Sequence, residues 1–561
     1  MLTTSQYLAH SLKRVGVRHA FGVSGANIED LYDAMRHTEY PRCILAKHEF
    51  SAATMADGYA RVGAPVGVVM ATSGGGAANL IPGLAESYAS RVPVLALVGQ
   101  PPAPLEGRGA FQDGSGRAGS VDMEVLFGAV SVYCRRVAHA DELPLALYEA
   151  LAASLGEQPG PSVLLLPKDL QRAVVDPHAR GFGLLPTVMR HAPAFEQVQT
   201  AAALLSEART VLIIAGEGVA RHEARNDLIA FVARVNARVA VTPDGRDAFD
   251  NSDPRFIGIT GAMGHSSVAD YLSRADLCVT VGTRLPQLAR VGLEAKLASR
   301  PLVSVHSEPS FAEGTTRVEV IGNVQMGLRA LCASMGPCVS PAVTPLASEE
   351  IATRFLPGAR SGMIGFREAL EAVAARMPED ANVFVDAGNT GASAVYWLRS
   401  PSRGRFVVAL GMGGMGYSFG AAIGAALFNG RRTFVLAGDG AFYMHGLEIH
   451  TAVENQLPIT FILFNNNAHA MCFTREYLYC DEHSSQNLFR PSDLAAGVGA
   501  MFPSLKVLPA RAPSEIGEGL RGVQSGPAVM SIRVDPCEVP PFVPFLQAMA
   551  SIDENRASKA G

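Results

Sequence analysis

Two apolar runs at a fixed interval constrain this chain more than any other feature of it. Thr433-Phe434-Val435-Leu436-Ala437 reads as a buried strand ending at Gly438. Gly438-Asp439-Gly440-Ala441 follows as a tight turn that sets one carboxylate at the strand's C-terminal edge. Phe442 to Glu454 has helical spacing, and Leu457 to Phe464 is a second apolar strand that ends in Asn465-Asn466-Asn467-Ala468-His469. The 27 positions from Asp439 to Asn466 are the length of one strand–helix–strand crossover. Right-handed closure of that crossover brings both side chains to one sheet edge. A carboxylate, an amide oxygen and a nearby backbone carbonyl are hard oxygen ligands, suited to Mg²⁺ or Ca²⁺ holding a phosphorylated ligand.

The same alternation runs through the rest of the 561 residues, which are too many for one core and predict three domains. The first, residues 1–180, opens with a helix over Thr4 to Val15 and strands over His19 to Val23, Cys43 to Ala46, Val66 to Ala71 and Val92 to Val98. A linker rich in Pro and Gly spans Asp176 to Pro193. The second domain, residues 195–337, carries strands at Val211 to Ala215, Arg238 to Val241 and Leu277 to Val281. A second linker covers Cys338 to Gly362. The third domain, residues 360–545, starts with a helix from Phe366 to Arg376 and a strand from Ala381 to Asp386; a frayed polar tail follows Met549. Strands alternating with helices indicate an α/β fold of doubly wound parallel sheets, with ligands at the C-terminal strand ends.

Several function classes are excluded by composition. A net charge of −5 without a Lys/Arg run argues against nucleic acid as a partner. Val407 to Phe428 is uncharged and long enough to cross a membrane, but its glycines read better as strand, loop and packed helix. Eight scattered cysteines without metal spacing, and no secretory leader, favour free thiols in the cytoplasm.

GDG at this distance from NN resembles the motif of thiamine-diphosphate (ThDP) enzymes, and the chain resembles that family throughout. The resemblance implies a metal, Mg²⁺, on Asp439, Asn466 and the carbonyl of Ala468, with Gly438, Gly440 and Ala441 beside the diphosphate. His469, Ala470 and Met471 continue that wall, where the family usually has Gly-Met at the last two positions. Asp386-Ala387-Gly388-Asn389-Thr390 resembles a diphosphate loop at a helix start, where free amides favour an anion. Gly411-Met412-Gly413-Gly414-Met415-Gly416 resembles the family's "GLGTMG", in which the apolar residue, here Met415, wedges between the two cofactor rings. Thr72-Ser73-Gly74-Gly75-Gly76-Ala77-Ala78-Asn79 resembles the "TSGPGATN" loop that approaches the pyrimidine.

Glu49 is the foremost catalytic candidate. It follows a strand and opens a helix between apolar Ala46 and Phe50, where a carboxylate can be desolvated. Lys47-His48-Glu49 with Ala56-Asp57-Gly58-Tyr59-Ala60-Arg61 resembles the family's "HE…ADGYAR" helix, whose glutamate protonates the pyrimidine N1′. Gly109-Ala110-Phe111-Gln112-Asp113 resembles the "DAFQE" segment of acetolactate synthase-like members, in which Phe and Gln face the reacting centre. The paired histidines of a pyruvate-decarboxylase type are missing here. Where acetolactate synthases follow Gly-x-Arg with Phe-Asp-Asp-Arg, this chain reads Gly282-Thr283-Arg284-Leu285-Pro286-Gln287-Leu288, with Leu288 in the place of the last arginine. Gly216 and Gly218 lack the full dinucleotide fingerprint, and FAD is not favoured.

The expectation is a carboligase that decarboxylates a 2-oxo acid, pyruvate foremost, and adds the acyl unit to an acceptor carbonyl. The resemblance implies a homodimer or homotetramer, with active sites between subunits. The alternatives are a simple 2-oxo acid decarboxylase, an FAD-linked oxidase and a non-catalytic subunit of the same fold.

Overall fold

The computed structural model describes residues 1–188, 190–335, 359–360, 362–480, 485–523 and 525–560, with side chains to residue 551. All but the end of the second expected linker, Cys338 to Gly362, lies outside the described residues.

Three six-stranded sheets follow one another along the chain, and every ladder between their strands is parallel. The first contains β1 (His19–Val23), β2 (Arg42–Leu45), β3 (Gly67–Ala71), β4 (Val94–Gln100), β5 (Tyr133–Arg136) and β6 (Pro161–Pro167), in the order β2-β1-β3-β4-β6-β5. The second contains β7 (Val211–Ala215), β8 (Arg238–Val241), β9 (Phe256–Ile259), β10 (Leu277–Val281), β11 (Leu302–His306) and β12 (Arg317–Ile321), in the order β12-β11-β10-β7-β8-β9. The third contains β13 (Asn382–Val385), β14 (Arg405–Val408), β15 (Thr433–Gly438), β16 (Ile459–Asn465), β17 (Lys506–Ala510) and β18 (Ala528–Arg533), in the order β14-β13-β15-β16-β18-β17. The first and third sheets therefore share one winding pattern. Central strands such as β4, β7, β10 and β16 are buried along their whole length, which is why they are unbroken apolar runs and not alternating ones.

In sheets of this kind the crevice for ligands opens where the strand order reverses. In the third sheet that point lies between β13 and β15, whose C-terminal ends deliver Asp386 and Asp439. In the first it lies between β1 and β3, which deliver Asn27 and Thr72 to one edge.

One seam joins the first and third units. The helix Glu49–Arg61 crosses the helix Tyr417–Asn429 at glycines. A Cβ on Gly58 would lie 2.1 Å from the carbonyl oxygen of Ala421, one on Gly420 2.5 Å from that of Ser51, and one on Gly424 1.9 Å from that of Met55. At Gly58 and Gly424 backbone meets backbone, and at Gly420 the Thr54 hydroxyl shares the contact.

Three expectations are corrected. Gly-Asp-Gly is not a free-standing turn: Gly438 is extended (φ −79°, ψ 165°) and Asp439 already belongs to the helix Asp439–His445. An aspartate in a first helical turn faces the positive end of the dipole, which favours this arrangement. The helix expected from Phe442 to Glu454 is interrupted by a 3₁₀ turn, Gly446–Glu448, before Ile449–Glu454. The tail expected to fray after Met549 is helical, Val543–Ala560. Val407 to Phe428 falls into the end of β14, a loop and a helix, and no helix among the described residues is long and apolar enough to cross a membrane.

Candidate active site

A cavity of about 190 Å³ opens at the reversal point of the third sheet. Its wall is built from the loop after β13 (Gly388, Asn389, Thr390), the start of the helix after β15 (Asp439, Gly440, Ala441), the loop after β16 (Asn466, Ala468, His469) and Met415. Four separate stretches picked out in the sequence thus converge on one space. Ala470 and Met471 line it as well. Gly413 and Gly414 are not among its lining residues; Gly414 faces the ring of Phe50 instead.

Asp439 is 1% exposed, and its carboxylate accepts from Gly440 N (3.0 Å) and Asn467 N (2.5 Å). Burial pushes its pKa up to about 6, against those two amides, which favour the anion. Asn466 Oδ1 accepts from Ala468 N at 3.1 Å, so the loop folds back on itself beside Asp439. Among the described residues no group of three or more His, Cys, Asp and Glu side chains is set to hold a metal. This site offers one acid, with neutral oxygens completing the set, which suits Mg²⁺ bound jointly with a phosphorylated ligand. Two side-chain atoms in the wall are buried orphans, Asn389 Oδ1 and His469 Nδ1, and a bound polar group would give them partners. At the entrance Gly388 has φ +90°, a conformation that a side chain would strain. It caps the helix Asn389–Trp397, whose first residues, Asn389 and Thr390, line the cavity.

Glu49 stands apart from this cavity, at the C-terminal edge of the first sheet. Its Oε2 accepts from Asn79 Nδ2 at 3.0 Å, and a Cβ on Gly76 would lie 3.0 Å from its Oε1. Ser73 is fully buried, accepting from Asn27 Nδ2 (2.7 Å) and reaching Gln112 Oε1 at 3.4 Å, while Thr72 Oγ1 accepts from Asn27 N. Gln112 packs on Gly74, whose absent Cβ would sit 2.8 Å from that of Gln112. Glu49, Thr72, Ser73, Gly74, Asn79 and Gln112 therefore form one group. Phe111, expected to face a reacting centre, is 78% exposed and points away from the chain's own core. Asn27 was not singled out in the sequence; its signal was an asparagine four residues beyond a strand end, on the reversal edge.

The middle sheet offers a different picture. Its reversal point lies between β7 and β10, where Gly216 N donates to Val281 O and Gly218 N to Gly282 O, both at 2.9 Å. Amides that a dinucleotide's phosphates require are already engaged, and Arg284 is tied to Glu308, which also takes Arg91. Leu288 is half-buried and packs against the core. A larger cavity, about 670 Å³, lies where the three units meet and is rich in arginine. Its guanidiniums are paired: Arg61 with Asp57, Arg221 with Glu217, and Arg225 and Arg405 both with Asp247. Of these pairs Arg405–Asp247 crosses from the third unit to the second, and Glu217 lies within 3.8 Å of both Arg61 and Arg405, so the charges are nearly balanced where the units meet.

Three family models match the chain in succession. The N-terminal TPP binding domain of thiamine pyrophosphate enzymes matches residues 2–118, the central domain residues 198–331, and the C-terminal TPP binding domain residues 386–532. Among curated relatives, the large subunit of acetolactate synthase isozyme 1 from Escherichia coli is 28% identical over 568 residues, covering 97% of this chain and 96% of the relative. The large subunit of isozyme 2 from the same organism is 29% identical over 490 residues, covering 86% of each. A solved chain from Mycobacterium smegmatis, described as thiamin diphosphate-dependent, superposes with a TM-score of 0.80 at 21% identity, covering 96% of this chain and all of that one.

Proposed function

Since this chain belongs to the thiamine pyrophosphate enzyme family, we propose that it is a Mg²⁺-dependent carboligase of the acetolactate synthase type, taking its acyl unit from a 2-oxo acid such as pyruvate. The observation that carries this reading is the convergence of Asp439, Asn466, Ala468 and Met415 on one cavity, together with an intact Glu49–Asn79 pair. Bound there, thiamine diphosphate supplies a nucleophilic carbon that makes a decarboxylated 2-oxo acid an acyl donor.

The chain's own residues have distinct tasks. Asp439, Asn466 Oδ1 and the carbonyl of Ala468 would hold the metal, and the amides at the start of Asn389–Trp397 would receive phosphate oxygens. Met415, which lines the cavity, would orient the bound cofactor, which is catalysis by orientation. Asn79 occupies Glu49 Oε2, so Oε1 would be the atom to hold a proton toward the cofactor's pyrimidine. Gln112, anchored through Ser73, orients the carbonyl oxygen of the reacting group, and Phe111 covers it. Since Glu49 does not line the metal-side cavity of its own chain, a second copy supplies the glutamate to each cavity, in a homodimer or a dimer of dimers in the cytoplasm. Leu288, half-buried against the core where the family has an arginine, favours an acceptor that needs no carboxylate partner at that position, such as an aldehyde or a simple ketone.

Purified protein incubated with ThDP, Mg²⁺ and pyruvate, and then with added aldehydes, tests the proposal through CO₂ release and product analysis. Acetolactate or acetoin that disappears in Glu49→Gln supports it. Acetaldehyde as sole product points to the simple decarboxylase. Undiminished turnover in Glu49→Gln refutes the role given to that residue.

A further inference from the structure

The loop Gly411–Gly416, which carries Met415, has no regular structure of its own, yet a wedge works only if it is held. Two buried carboxylates grip the loop at its two ends. At the start, Glu86 accepts from Gly411 N (3.2 Å) and Met412 N (2.6 Å). At the end, Asp386 accepts from Gly416 N (2.9 Å), Ser418 N (3.0 Å) and Ser418 Oγ (2.7 Å). Glu86 is 3% exposed and Asp386 1%. Between these anchors Gly413 and Gly414 make little contact, and Met415 reaches the cavity.

The two anchors come from different places. Asp386 ends β13 within the loop's own unit. Glu86 belongs to the first unit, on the helix Ile81–Ala89, about seven positions after the Asn79 that holds Glu49. It is braced by Ser90 Oγ (2.7 Å) and by Arg61, 3.6 Å away. Arg61 is in turn fixed by Asp57 (2.7 Å), which also accepts from Ser87 and from the hydroxyl of Tyr417, just past the loop. Hydrogen bonds from main-chain amides to ionised carboxylates are about twice as strong as neutral ones, and each oxygen here fixes the direction of an amide.

We propose that Glu86 and Asp386 are positioning residues that clamp the Met415 loop from both ends, so that the first unit of a chain sets the wedge carried by its third. This deepens the function proposed above and rests on Met415 lying between the cofactor rings. Neither carboxylate lines the cavity; both act through Met415.

Hydrogen–deuterium exchange of the full-length protein, without and with ThDP and Mg²⁺, tests it beside steady-state kinetics. Glu86→Gln keeps the shape but replaces one acceptor by a donor facing Met412 N, and Asp386→Asn does the same at the other end. In each variant, exchange over residues 409–418 should rise while that of β15 stays as in the parent. At saturating ThDP, kcat should fall roughly tenfold, the effect of losing one charge-assisted hydrogen bond, with the KM for the 2-oxo acid unchanged. Ser418→Ala, a milder variant certain to retain both carboxylates, should give a smaller change of the same kind. Unchanged exchange over 409–418 in Glu86→Gln, or faster exchange with an undiminished kcat, overturns the clamp. If the parent protein turns over no 2-oxo acid, the functional proposal fails, and the exchange result still decides the clamp by itself.

Discussion

Replacing Gly424 by alanine puts the seam between the first and third units to a quantitative test. The new Cβ would stand 1.9 Å from the carbonyl oxygen of Met55, whereas ordinary contact begins at 3.4 Å, so the two helices must part locally by 1.5 Å. Both atoms involved are backbone or fixed to it, and no side chain can swing aside. Separating the helices also loosens the neighbouring contacts at Gly58 and Gly420, which sit on the same crossing. Overpacking of a close-packed site costs about 1–3 kcal/mol, and rigid backbone on both sides puts this site at the upper end. Helix propensity works the other way, favouring alanine over glycine by about 1 kcal/mol. The net expectation is a loss of about 2 kcal/mol, or a fall of roughly 4–8 °C in the midpoint of a domain-sized cooperative unit. Gly497 supplies the control. It is also inside a helix, Leu494–Met501, and has nothing within 4 Å of its absent Cβ, so Gly497→Ala should show the propensity gain alone. Thermal unfolding followed by circular dichroism, at one scan rate for all three proteins, reads the difference. A Gly424→Ala protein as stable as the parent, or stabilised like Gly497→Ala, would refute direct backbone packing at the crossing.

Two further outcomes follow from charged groups. Burial raises the pKa of Glu538 from 4.5 to about 7, so the folded state prefers its neutral form. Its contribution to stability is complete below about pH 4.5 and is lost as pH rises through 7; Glu538→Gln should therefore raise the melting midpoint at pH 8 and leave it unchanged at pH 4, and equal effects at both would show the side chain is not titrating there. Asp439→Asn removes the single negative ligand of the metal set, and should weaken Mg²⁺ retention at least tenfold by equilibrium dialysis in the presence of ThDP while the midpoint of the unliganded protein holds or rises, since a buried carboxylate is replaced by a neutral amide. Equal Mg²⁺ retention would remove Asp439 from the metal site.

The sequence was most legible where one physical cause acts alone. Val211–Ala215, Arg238–Val241 and Leu277–Val281 are strands over the residues expected, because a run of buried β-branched side chains between polar boundaries has one reading. That Asp439, Asn466 and Ala468 share one cavity was legible through spacing, since the crossover length fixes which strand ends meet. Helix boundaries near the site were less so. Asp439 was assigned to a turn because Gly-Asp-Gly satisfies turn chemistry as well as it satisfies a helix start, and only the extended Gly438 decides between them. Glu86 gave no signal at all: its partners lie about 325 positions away, and nothing local distinguishes it from a helix-surface glutamate. Phe111 was legible as a motif, but its exposure in a single chain depends on what a second copy brings to it.

The glycine seam also has a bearing on how the chain is made. Its two helices are separated by about 360 residues, so at a synthesis rate of about 5–20 residues per second the first waits roughly 20–70 s for the second to leave the ribosome. Throughout that interval the first unit presents an uncovered helix face that lacks the bulky side chains to shield its backbone. Any other nascent chain offering a smooth helix is a competitor for it. The close fit that joins the finished units thus sets a period during synthesis when the protein depends on shielding from its neighbours.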